Sequence, residues 1–74
     1  METASQEIRF GVIAVKKGFV TPEQVVDALA RQVKEDLLTG KHRPVGEILV
    51  EEGTISHSQL TQVLKEMEWA EDVA

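Results

Sequence analysis

The chain contains no cysteine and no tyrosine, only three aromatic residues (Phe10, Phe19 and Trp69) and two prolines, and one basic residue in its last third. Without cysteine there is neither a disulfide framework nor a thiolate metal site to support a small core. Its stability must come from side-chain packing or from self-association. No apolar run approaches the roughly 20 residues that span a bilayer, and the polar, acidic start from Met1 to Glu7 lacks the basic segment of a signal peptide. The expectation is a protein without membrane insertion, in the reducing environment of the cytoplasm.

The scarcity of base is uneven. Residues 1–43 hold seven basic and six acidic side chains, whereas residues 44–74 hold one basic and seven acidic ones. Nucleic-acid binding draws much of its free energy from phosphate neutralisation, so a chain of net charge −5 is a poor nucleic-acid partner. With 42% apolar and 28% charged residues in 74, the composition is that of one folded domain.

What is present is a repeat. At an offset of 35 residues, Gly11 meets Gly46, Ile13 meets Ile48, Gly18 meets Gly53, Gln24 meets Gln59 and Leu29 meets Leu64. Similar pairs keep the register: Phe10 with Val45, Ala14 with Leu49, Val20 with Ile55, Thr21 with Ser56, Val25 with Leu60. Within each copy the apolar residues recur at helical spacing (Phe10, Ile13, Ala14, then Val25, Ala28, Leu29), and Val33 and Leu37 extend the second stripe. Gly18 and Gly53 fit the left-handed position that ends a helix. Thr21-Pro22-Glu23-Gln24 and Ser56 with Gln59 are capping boxes that start the next one.

The expected fold is therefore all-α: two αα-hairpins, each a short helix, a turn and a long helix, packed as a four-helix domain. Repeat one covers about residues 5–38, the linker 39–43 and repeat two 44–69, with a frayed tail at 70–74. Pro44 opens the third helix, and Leu29 and Leu64 take equivalent core positions. Gly11 and Gly46 fall inside helices, where glycine costs about 1 kcal/mol relative to alanine, so a close approach by another helix or a ligand must compensate.

The spacing Arg9, Phe10, Gly11, Ala14, Gly18, Val25, Leu29, Gln32 resembles the repeated motif RLGxxLxxxGxxxxxxLxxxLxxQ in the N-terminal domain of bacterial type II secretion and type IV pilus assembly ATPases. Val45, Gly46, Leu49, Gly53, Leu60 and Leu64 resemble a second copy, so the likeness spans residues 9–67. It implies a helical, non-catalytic module that contacts a secretion, pilus or signalling component, and in a subset of the family binds cyclic di-GMP. No GxxxxGK[ST] loop occurs in the chain, so the module stands alone or serves a partner in trans.

Three departures weigh against the cyclic di-GMP reading: Pro44 replaces the second arginine, Met67 replaces the second glutamine, and residues 33–43 lengthen the spacer. Arg43, one position early, is the substitute arginine. The candidate ligand residues are thus Arg9, Phe10, Gly11, Gln32, Arg43 and Gly46, with arginine and amide groups suited to guanine or phosphate. Lys41, His42 and Arg43 precede a helix N-terminus and form a second candidate anion site.

No catalytic, cofactor or metal site is expected. His42 and His57 are isolated, Ser56 next to His57 is a cap, and the acidic pairs Glu51/Glu52 and Glu66/Glu68 read as solvated helix faces. Trp69, the one tryptophan, closes the core or anchors a protein partner.

Overall fold

A computed structural model describes the backbone of residues 2–73 and the side chains of residues 6–67. Four helices follow one another: α1 (Glu2–Lys16), α2 (Pro22–Thr39), α3 (Val45–Glu51) and α4 (His57–Val73). There is no strand among the described residues, so the fold is all-α. None of these helices is long and apolar enough to cross a membrane.

The helix ends are set locally. Gly18 (φ 79°) closes α1, with its own N–H bonded to the Val15 carbonyl and the Phe19 N–H bonded back to Ala14 at 3.0 Å. Gly53 (φ 79°) repeats this after α3: Gly53 bonds to Val50, and Thr54 to Leu49 at 2.9 Å. These are Schellman closures, whose left-handed residue carries a side chain only under strain. Across the short turn, the Thr21 hydroxyl accepts the Gln24 N–H at 3.1 Å while the Gln24 side chain accepts the Thr21 N–H at 2.9 Å. Ser56 and Gln59 form the same reciprocal pair at the start of α4.

The core gathers Phe10 and Ala14 of α1, Val25 and Ala28 of α2, Val45, Ile48 and Leu49 of α3, and Val63 and Met67 of α4, with Val20 and Ile55 from the turns. The seven-residue α3 is the most deeply enclosed element, since Val45, Ile48 and Leu49 are fully buried. It touches all three other helices, as α1 does in its turn, whereas α2 and α4 do not meet among the described residues. The two glycines permit the closest approaches. A Cβ on Gly11 would stand 2.6 Å from a Val25 methyl, and one on Gly46 would stand 2.6 Å from a Leu60 methyl and 2.9 Å from the Phe10 ring. Helix packing accounts for both.

Several expectations need correcting. α1 is 15 residues long rather than short, because it begins before the repeat register does and so carries Glu7 to the start of α3. Pro44 is the N-cap of α3 rather than its first residue. Leu64 is 48% exposed and Leu29 only partly buried. Each sits at the edge of its apolar stripe, one helical step beyond the fully buried Val63 or Ala28, and faces an interhelical depression. Val33 (54%) and Leu37 (82%) are exposed as well, because among the described residues no helix covers that side of α2.

Candidate functional site

Among the described residues only two polar side chains are buried, Glu7 (7% exposed) and Gln32 (5%), and they meet. Pro44 contributes no capping side chain to α3, so the first N–H groups of that buried helix need an acceptor from elsewhere. Glu7 supplies it: its carboxylate accepts the Val45 N–H at 3.0 Å and a hydrogen bond donated by the Gln32 amide. The same Gln32 nitrogen donates to the Arg43 carbonyl at 2.7 Å. One carboxylate and one amide therefore join α1, α2, the linker and α3. Burying such groups is tolerable only when each is satisfied, as here.

Two of the three basic linker residues, His42 and Arg43, are paired with carboxylates of the same chain, whereas the Lys41 side chain is exposed. His42 Nδ1 lies 3.0 Å from Asp36, and His42 Nε2 lies 3.5 Å from Glu7. The hydrogen bond to Asp36, helped by the charge of Glu7, raises the pKa of His42 above the ordinary imidazole value. The Arg43 guanidinium grips Glu35 through two nitrogens at 2.9 Å and reaches Glu51 at 3.1 Å. That contact holds the Glu35 carboxyl below its ordinary range. Arg31 binds Glu35, Glu51 and Glu52. The pair Glu51/Glu52 is thus exposed, as expected of a solvated face, and is also an ion-pair partner of Arg31 on α2.

The candidate ligand residues are placed as follows. Phe10 and Gly46 come together in the wall of a cleft of about 270 Å³ that Glu7, Glu47, Leu60, Leu64 and Met67 also line. Gln32 and Arg43 are joined to each other, but each through the bonds just described. Gly11 faces Val25, and Arg9 lies on the exposed side of α1, lining neither depression. Trp69 lies outside the residues whose side chains are described. Among the described residues no group of three or more histidine, aspartate or glutamate side chains is arranged to hold a metal ion.

The residues that sequence reasoning missed as a set form a groove of about 350 Å³ between α1 and α2. Ile8, Val12 and Val15 line one side, Pro22, Val26 and Leu29 the other, with Gly11 and Val25 between them. Every lining side chain is apolar. The counterpart positions 35 residues later are Arg43, Glu47, Val50, His57 and Leu60, and these line a depression between α3 and α4. Val26 has Thr61 as its counterpart. The groove between α1 and α2 is thus apolar, and the depression between α3 and α4 is charged. The available signal was Ile8, Val12 and Val26 standing where the second copy has Arg43, Glu47 and Thr61.

The described residues define a class: an all-α, four-helix module whose buried polar groups serve its own architecture and which has a wholly apolar depression open to solvent. No protein-family model, curated protein or solved structure matches the chain.

Proposed function

We propose that the chain is a non-enzymatic interaction module of the bacterial cytoplasm, resembling the secretion and pilus ATPase N-terminal domain, that receives an apolar helix in its α1–α2 groove. The observation that carries this reading is the groove itself. Val26 is 62% exposed and Ile8 55% on a small domain whose equivalent surface is charged, and contiguous exposed apolar surface of this kind marks docking sites. An apolar helix laid between two others is a common mode of peptide recognition. The partner is a protein, with a secretion, pilus or signalling component as the expectation from the resemblance.

The competing reading, a cyclic di-GMP sensor, fits the side chains less well. It needs Gln32 and Arg43 turned toward a ligand, whereas Gln32 is bonded to Glu7 and a carbonyl, and Arg43 to Glu35 and Glu51. A doubly anionic ligand beside Phe10 and Gly46 would also face Glu7 and Glu47.

The test is a photo-crosslinking amino acid placed at position 26 in the protein within its own cells, with the same residue at position 61 as control. A discrete adduct from position 26 and none from position 61 supports the reading. No adduct from position 26 overturns it. A parallel NMR titration with cyclic di-GMP should leave the signals of Arg9, Gly11 and Gln32 unmoved. Saturable low-micromolar shifts there would make the sensor the better account.

A further inference from the structure

The apolar groove continues along α2. Val26, Ala30, Val33 and Leu37 are spaced four, three and four residues apart, the alternation of a seam in paired helices. All four are exposed. α2 is 18 residues long, about 27 Å at 1.5 Å per residue, which gives the seam room for a full helix–helix contact. Along one flank lie Leu29 and the α1 wall of the groove. Along the other lie Asp27 and Lys34, both exposed and neither in a hydrogen bond or ion pair among the described residues.

From this pattern we infer that the occupant of the groove is a second copy of the same chain, with the two α2 helices antiparallel about a twofold axis. The inference rests on the reading of the groove as a docking surface and names its partner. The pattern is self-complementary in that direction only. Antiparallel, Val26 stands opposite Leu37 of the second copy, Ala30 opposite Val33, and Asp27 beside Lys34, so that two opposite-charge pairs form at once. Parallel, Asp27 and Lys34 would each flank Pro22 or Leu29 of the second copy, and no charge would be matched. The twofold arrangement is also the commonest closed assembly for identical chains. A domain with little core and no cysteine gains from covering such a seam.

Sedimentation velocity on the full chain reads the inference directly. The apparent mass should rise from the 8.2 kDa of the chain toward twice that value as concentration increases. A mass that stays at 8.2 kDa up to about 1 mM overturns the inference. Val33→Glu changes an exposed side chain, so its helical circular dichroism should persist while association weakens by about tenfold or more through burial of a charge.

The decisive arm is charge reversal. Asp27→Lys alone places like charges in both pairs, as does Lys34→Glu alone, so each variant should be monomeric. Mixed in equal amounts, the two restore both pairs and should form a dimer containing one of each. Wild-type association without recovery in the mixture refutes the antiparallel register. In the crosslinking experiment above, an adduct of twice the chain mass belongs to self-association. An adduct of another mass removes this inference and leaves the docking reading standing, whereas no adduct removes both.

Discussion

Replacing Glu7 by alanine removes one carboxylate and orphans two buried donors, the Val45 N–H and one N–H of the Gln32 amide. A buried donor left without an acceptor costs about 1–3 kcal/mol. Gln32 keeps the Arg43 carbonyl, so its loss belongs at the low end, and the Val45 N–H heads a fully buried turn, so its loss belongs nearer the high end. Together they give about 2–4 kcal/mol. A domain of 74 residues holds about 4–11 kcal/mol in total, so a large part of its stability is at stake.

Urea denaturation followed by circular dichroism measures that loss, and a double-mutant cycle shows where it arises. Gln32→Met installs the residue that the second copy has at its counterpart, Met67, which is itself buried in the core. Combined with Glu7→Leu, it removes donor and acceptor together and leaves the Val45 N–H as the main orphan. The double variant should therefore lose clearly less than the sum of the two single losses. A Glu7→Ala loss below about 0.5 kcal/mol, the scale of ordinary surface changes, would refute the account of Glu7 as the remote cap of α3.

The same denaturation assay checks four further expectations. Leu49→Ala, in the fully buried part of α3, should cost about 2–5 kcal/mol, whereas Leu64→Ala at the cleft edge should cost less than about 1.5 kcal/mol. Gly11→Ala gains about 1 kcal/mol of helix propensity but drives a methyl into Val25, whose branched side chain has no second rotamer of equal energy in a helix; overpacking of about 1–3 kcal/mol should leave a net loss. Thr21→Ala and Ser56→Ala should each cost about 0.5–2 kcal/mol by removing one half of a capping box. Because the folded-state pKa of His42 is raised, its contribution is complete below the unfolded imidazole value and is lost as pH rises through the folded value; His42→Gln should flatten the stability profile in that window above 6.5.

The parts of the fold that could be read from sequence are those decided within a few residues. Gly18 and Gly53, Thr21 with Gln24 and Ser56 with Gln59 each complete their bonds inside one turn of chain, so residue type and spacing carry the geometry. Gly11 and Gly46 were legible as close approaches, because an interior glycine has few other reasons to be in a helix. Glu7 was not, since its partners lie 25 and 38 residues away. Its only trace is indirect: Pro44, lacking a capping side chain, leaves the N–H groups of α3 to an acceptor from outside. Val33 and Leu37 misled for a different reason. Periodicity shows that apolar residues share a face but not whether another helix covers it, and among the described residues α4 does not reach α2.

The two halves also separate what the fold needs from what it leaves free. Ala14 and Leu49 are fully buried at matching positions, as are Ala28 and Val63, and Val20 matches Ile55 in the turns. Residue size there differs between halves, but apolar character does not. Packing therefore constrains these positions in both halves alike. At the grooves it constrains neither, because Arg43, Glu47 and His57 surround one of them while Ile8, Val12 and Pro22, their counterparts in sequence, surround the other. Leaving Val12 and Val26 in water has a solubility cost that Glu47 and Thr61 avoid at the equivalent places. The apolar groove, which architecture does not require, is the ground of the proposed contact outside the chain, and its continuation through Val33 and Leu37 gives the proposed contact the length of a helix.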